Sequence, residues 1–234
     1  RLFYIVAVIP IIIFIFWPIV ALFLRSISPD GKFTLELYNS LFKENFTVIR
    51  DSIWVCLLST ALSVIIGTVI AVYITYASKW VKRILMLLLM LTMISPPFLS
   101  SLSYILLFGK RGIITADLLH LNFNPYGWHG IVIMQTFSEI SLAALILTGG
   151  LSSIPSSVIE AAKDLGSKSG EILYRVILPM LKSSLTAVFF LIFVKNIADF
   201  GTPIIVGGNF KMLATEAYKG VISYGEIEKA AAIS

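Results

Sequence analysis

Ser52-Ile53-Trp54-Val55-Cys56-Leu57-Leu58-Ser59-Thr60-Ala61-Leu62-Ser63-Val64-Ile65-Ile66-Gly67-Thr68-Val69-Ile70-Ala71-Val72-Tyr73-Ile74-Thr75-Tyr76-Ala77-Ser78 carries no charged side chain between Asp51 and Lys79. The run exceeds the roughly 20 apolar residues that a helix needs to cross the hydrocarbon of a bilayer. Two more charge-free runs, Leu2 to Leu24 and Ile84 to Gly109, meet the same requirement. Composition agrees, with 58% hydrophobic and 13% charged residues against about a quarter charged in soluble domains. The expected fold class is all-α, a polytopic bundle of membrane helices; three buried helices of a soluble protein fit this length poorly.

Two further runs each carry charge. One extends from about Ile131 to Gly150 and contains Glu139; the other extends from about Val176 to Phe200 and contains Lys182 and Lys195 near its ends. Beyond Phe200 a polar, glycine-containing loop is expected, and a last apolar stretch starts at Ala230. The expectation is five complete spans plus the start of a sixth, in one transmembrane domain over 1–234 trimmed at both ends. Leu2 to Leu24 reads as a retained first helix, because it is longer than a signal core and no small-residue cleavage pattern follows it.

Loop charge gives the orientation. Lys79-Trp80-Val81-Lys82-Arg83 holds three basic residues and no acid, which places this short loop in the cytoplasm. Alternation then puts the N-terminus and the segment around Glu160 inside, and Pro29 to Phe46 with Gly201 to Tyr224 outside. Cys56 is the single cysteine, so it forms no disulfide within the chain and reads as a packing residue. The formal charge of +5 is dispersed over helix ends; membrane topology accounts for it, and nucleic acid is not implied. His120 and His129 lack metal-ligand spacing and read as solvated loop residues.

Between the last two runs lies a polar insert, 152–175. Pro155-Ser156-Ser157-Val158-Ile159-Glu160 reads as a helix start, with Ser157 and Glu160 at capping-box spacing. Ala161 and Ala162 strip the next turn of bulk, and Leu165 follows Ala161 by four residues on one face. Gly166 permits the left-handed residue that ends many helices, and Ser167 or Ser169 is placed to cap a second helix. Two short helices meeting at a glycine form a projecting knuckle. Read by itself, the insert is equally a plain helical hairpin joining two spans.

The whole spacing, Glu160-Ala161-Ala162-Lys163-Asp164-Leu165-Gly166 and then Val176-Ile177-Leu178-Pro179, resembles the signature of permease subunits of binding-protein-dependent ABC importers. Val176 stands where Ile is usual. Tyr126-Gly127-Trp128-His129-Gly130, Ala198-Asp199-Phe200-Gly201-Thr202-Pro203 and Gly207-Gly208-Asn209-Phe210 resemble the iron(III)-type branch, in which two such halves are often fused and the Asp-Phe-Gly-Thr-Pro segment is typical of the first half.

That resemblance implies a type I importer permease in a bacterial inner membrane, forming half of a translocation pathway beside a second half or subunit. It implies a dimer of ABC ATPase subunits below, gripping Glu160, Ala161, Ala162, Asp164, Leu165 and Gly166, and an extracytoplasmic solute-binding protein above. ATP and magnesium would sit on the ATPase, with no cofactor and no catalytic residue here; Lys168-Ser169 lacks the glycines of a phosphate loop. Ferric iron is the implied cargo, with 2-aminoethylphosphonate, polyamines or thiamine as alternatives. An ion-coupled secondary transporter would explain the intramembrane charges but not the loop spacing.

Those charges form the second candidate site, since an ionised group at the bilayer centre costs on the order of 3 kcal/mol. Glu139, flanked by Ser138 and Ser141, faces either a wet cavity or a neighbouring helix through a packing hydrogen bond. Lys195 and Asp199, four residues apart, either pair with each other or line an outer gate. Pro96 and Pro97 interrupt the third run and free backbone groups that lipid does not satisfy, so they mark either a pathway wall or an ordinary kink. Gly149-Gly150 reads as a hinge or a helix end.

Overall fold

The computed structural model describes residues 10, 12–27, 36–94, 97–118, 120, 124–220 and 222, and the regular structure among them is helical throughout. In chain order the helices are α1 (Trp17–Ile27), α2 (Glu36–Tyr76), α3 (Lys79–Ile94), α4 (Pro97–Phe108), α5 (Trp128–Ser152), α6 (Ser156–Asp164), α7 (Ser169–Ile172), α8 (Leu178–Met180), α9 (Lys182–Ala198), α10 (Gly201–Val206) and α11 (Leu213–Lys219). Two compact units result, one of Arg1–Ser52 with Lys211–Ser234 and one of Ile53–Phe210.

In the first unit an apolar helical stretch, Ile12–Ala21, is shorter than a span. The opening residues of the expected first run, 2–9, lie outside the described residues, as does the expected start of a sixth span at Ala230. α2 is helical from Glu36, so the second half of the loop expected over Pro29 to Phe46 is helix. Ser52 accepts the backbone N–H of Leu213 at 2.8 Å, and Met212 and Thr215 exchange hydrogen bonds at the start of α11.

The second unit is built around α5. Two helices, over Asn45–Tyr76 and Trp128–Ser152, are long and apolar enough to cross a membrane; the bent pairs, α3 with the α4 region and α7–α8 with α9, raise the number to four if each is one span. α5 packs against α3, α4, α9 and α10. Its most apolar window is 67% buried, against 39% for the window in α2, so α5 is the core helix. α2 and α5 cross closely at Gly67, where an added Cβ would stand 2.5 Å from the Cβ of Ala143. Ala143, Leu147, Leu151, Ala71, Val188 and Ile192 share one buried cluster.

Several hydroxyls survive in these apolar helices because they find a carbonyl of their own helix. Ser59, Thr68 and Thr75 of α2 donate to Val55, Val64 and Ala71, four residues back, which replaces the water that lipid lacks.

Three expectations about boundaries are corrected. Gly149 and Gly150 lie inside α5, which continues to Ser152; Gly150 instead makes room for Ser184, whose Oγ is 2.8 Å from where a Cβ would stand. The segment after Phe200 is not purely loop, because α10 forms there, with Asp199 accepting the free N–H of Thr202 at 3.1 Å. The fifth run is not one straight helix: Ser169–Met180 meets Lys182–Ala198 at 66°. The bend has two causes, the π-wound turn Leu173–Ile177 and Pro179, which has no N–H to return to the preceding turn.

Candidate functional site

The 152–175 insert forms the expected knuckle, by partly different means. α6 starts after Pro155, which is extended and makes no side-chain cap. Ser157 therefore lies one residue inside the helix, and no capping box joins it to Glu160, contrary to expectation; Pro155, with its fixed φ, sets the start instead. At the other end Gly166 has φ +84. Its N–H donates to Lys163 O at 2.8 Å and the N–H of Ser167 to Ala162 O at 3.1 Å, the doubled closure of a Schellman motif. The second helix is not capped by Ser167 or Ser169; Lys168 takes the cap position and its backbone N–H donates to Glu171 Oε2 at 3.0 Å.

α6 has an inner and an outer face. Ile159 and Ala162 pack on the core cluster beside Ile172, Ile177 and Leu181. Glu160, Ala161 and Asp164 are exposed, and Leu165 is 86% exposed. Of the six residues singled out here, Ala162 thus belongs to the inner face and the others to the free surface. Gly166 has open space where a side chain would go, so only its backbone conformation restricts it. A groove of about 430 Å³ runs beside the knuckle between Tyr76 and Val72 of α2, Ile159 and Lys163 of α6, and Ser169, Gly170 and Ile172 of α7.

The second site is a polar seam where α2, α5 and α9 meet. Gln135 is its hub: Oε1 accepts from Ser59 Oγ at 2.9 Å, and Nε2 donates to Asn196 O at 3.1 Å and to Asp199 Oδ2 at 3.4 Å. Asn196 Nδ2 donates to Ser59 Oγ and Thr60 Oγ1 at 3.2 and 3.1 Å. Ser63 reaches Thr136 O at 3.3 Å. One turn along α5, Glu139 is buried and receives Lys195 Nζ at 2.8 Å on Oε1 and 2.9 Å on Oε2. The Lys195 side chain is half-exposed, 49% against 10% for that of Glu139.

Lys195 and Asp199 do not pair, because α9 ends at Ala198 and Asp199 turns extended. Its carboxylate serves Gln135 and the start of α10, while Lys195 reaches across to Glu139. Glu139 therefore faces a neighbouring helix. Pro96 lies outside the described residues, and Pro97 begins α4. His129 is not in a loop but in the first turn of α5, its Nε2 2.7 Å from Asn124 O.

Gln135, Asn196, Ser59 and Thr60 were not singled out from sequence. Gln135 stands four residues before Glu139, and Ser59 four before Ser63, so polar residues repeating at helical spacing within apolar runs were the available signal.

Residues 63–224 match the model of a family described as binding-protein-dependent transport system inner membrane component. The putative ferric transport system permease protein FbpB 1 of Haemophilus influenzae is 28% identical over 89% of this chain and 34% of its own length. The ferric transport system permease protein FbpB of Actinobacillus pleuropneumoniae is 29% identical over 89% of this chain and 31% of its own length. The thiamine transport system permease protein ThiP of Escherichia coli is 30% identical over 69% of this chain and 31% of its own. The chain spans about a third of the length of these curated relatives. Among solved structures, a chain of a bacterial alginate ABC transporter in complex with a pentasaccharide-bound periplasmic protein superposes with TM-score 0.82, over 99% of this chain and 85% of that one, at 14% identity. The likeness establishes the shared helical fold.

Proposed function

We propose, from the premise that this chain belongs to the family of binding-protein-dependent transport system inner membrane components, that it forms half of the translocation pathway of an ATP-driven importer. The observation that carries this reading is the outer face of α6: an 86% exposed Leu165 beside Glu160 and Ala161, on a helix locked at Gly166. An apolar side chain held out on so short and rigid a knuckle suits the socket of a separate subunit, here an ATPase that binds ATP and magnesium itself. The knuckle and the Lys79 to Arg83 loop are cytoplasmic in this reading. The spans number five with a sixth begun, and a second half completes the pathway. An extracytoplasmic binding protein delivers cargo.

Force applied at Leu165 has a continuous route inward. Ile159 and Ala162 rest on the cluster that also holds Ile172 and Ile177 of the bent element and Leu147 and Leu151 of α5. Packed side chains do not compress, so displacing α6 displaces the cytoplasmic ends of α5 and of the bent pair together. Ferric iron is the cargo this reading favours, following what both FbpB relatives are named for; thiamine is the competing cargo, named for the 30% identical relative.

The test is purification of the full-length protein from its own host, followed by uptake in proteoliposomes containing the co-purified subunits and the binding protein. Co-purification of an ATPase and ATP-dependent ferric uptake support the reading. Thiamine uptake moves the cargo alone, and uptake driven by an ion gradient with no ATPase attached overturns the assignment.

A further inference from the structure

The seam of α2, α5 and α9 has a counterpart of opposite character where α4, α5 and α10 meet. At the seam every side-chain amide and hydroxyl just described has a partner. At the second interface Ser101 Oγ and Tyr104 Oη are buried and have none among the described residues. The two residues are three apart and lie on one face of α4, and Tyr104 packs against Met134 of α5 and Val206 of α10. Thr202 and Pro203 of α10 are buried as well.

A hydroxyl shut away from every partner is a cost that native structures rarely retain, and lipid offers nothing to relieve it. The elements around this pair are short: α4 has 12 residues and α10 has six. α10 also follows the extended Asp199. α5, by contrast, is continuous over 25 residues. Two short helices packed over two unpaired hydroxyls describe an interface suited to a second arrangement.

We infer that the interface between α4 and α10 opens to water during transport, and that Ser101 and Tyr104 then line the pathway as neutral hydrogen-bonding groups for a hydrated polar solute. Opening gives both hydroxyls partners, while the fully bonded seam of α2, α5 and α9 moves as one body. The inference rests on the importer reading above and specifies where the path runs.

The experiment uses the full-length protein with its co-purified ATPase in proteoliposomes, with Cys56 and any other thiol replaced. Ser101→Cys is labelled with a small water-soluble methanethiosulfonate, without nucleotide and then with ATP and vanadate, and Ser63→Cys in the bonded seam serves as the control. Labelling of Ser101→Cys should differ at least about tenfold between the two states, while Ser63→Cys changes little. Adding Tyr104→Phe removes one hydroxyl that gains a partner only on opening, so labelling in the open state should slow by about threefold or more. Should Ser101→Cys fail to assemble, amide exchange of 97–108 in the unaltered protein must differ between states more than that of 128–152. Equal labelling or exchange in both states, with the ATPase attached and active, overturns this inference alone. Loss of the ATPase from the unaltered complex instead overturns the importer reading beneath it.

Discussion

The knuckle and the seam invert the usual distribution of polarity. At the knuckle an apolar side chain, Leu165, stands 86% exposed; at the seam the amides of Gln135 and Asn196 are 2% exposed. Each arrangement is costly in isolation and reasonable in its surroundings. On the reading proposed above, the knuckle leaves its apolar area for a partner protein to cover, and its energy then belongs to association. The seam lies among spans, where polar groups have no competitor but each other, so its energy belongs to the fold. Substitutions at the seam should therefore register as lost protein, and substitutions at the knuckle as lost partnership.

Gln135→Leu tests this most severely. It removes the hub and takes one bond each from Ser59, Asn196 and Asp199, at a cost of about 3 kcal/mol. The expected result is a fall in the detergent-solubilised unfolding temperature and in membrane abundance; an unchanged melt would mean that the seam contributes specificity without stability. Gly166→Val should come second. The left-handed backbone at φ +84 disfavours a β-branched residue by about 1 to 2 kcal/mol, and the end of α6 alone bears it. Membrane levels should stay normal while ATPase co-purification and uptake fall.

Glu139→Gln should cost less than its burial suggests, about 1 kcal/mol, because the half-exposed Lys195 can rehydrate. The joint replacement Glu139→Lys with Lys195→Glu should restore part of that loss in the same melt; no restoration would show that the pair depends on the orientation of its surroundings. The smallest effect on folding is expected for Glu160→Ala. No side chain is paired with Glu160 in a capping box, so stability should change by less than about 0.5 kcal/mol. Any loss of uptake then reports the missing partner contact, and a large drop in membrane abundance would transfer Glu160 from the second class to the first.

The two regions were also unequally legible in the sequence. The long helices over Asn45–Tyr76 and Trp128–Ser152 follow from apolar runs, because insertion depends on summed hydropathy and tolerates much detail, a single Glu139 included. Gly166 was legible because a helix end of that kind needs a residue free to adopt positive φ, and glycine stands there. The seam was not legible in the same way. Glu139 and Lys195 are 56 residues apart, and whether they meet depends on how α5 and α9 are rotated and crossed, which no local pattern specifies. The short spacing from Lys195 to Asp199 suggested a pair that the end of α9 at Ala198 prevents. Ser157 was misplaced for a related reason: Pro155 and serine both mark helix starts, and the fixed φ of proline prevailed over a hydroxyl cap.

On the importer reading, the 66° elbow between Ser169–Met180 and Lys182–Ala198 bears on how the chain sits in its lipid. A push delivered along the lower arm of a straight rod would slide the upper arm along the membrane normal, dragging apolar surface into the headgroups and imposing a thickness mismatch on the surrounding bilayer. Delivered through an elbow, most of the same push becomes a sideways swing of the upper arm, which keeps its depth while changing its distance from its neighbours. On the importer reading proposed above, transport is therefore expected to depend little on bilayer thickness, because the stroke is not measured against the height of the hydrocarbon.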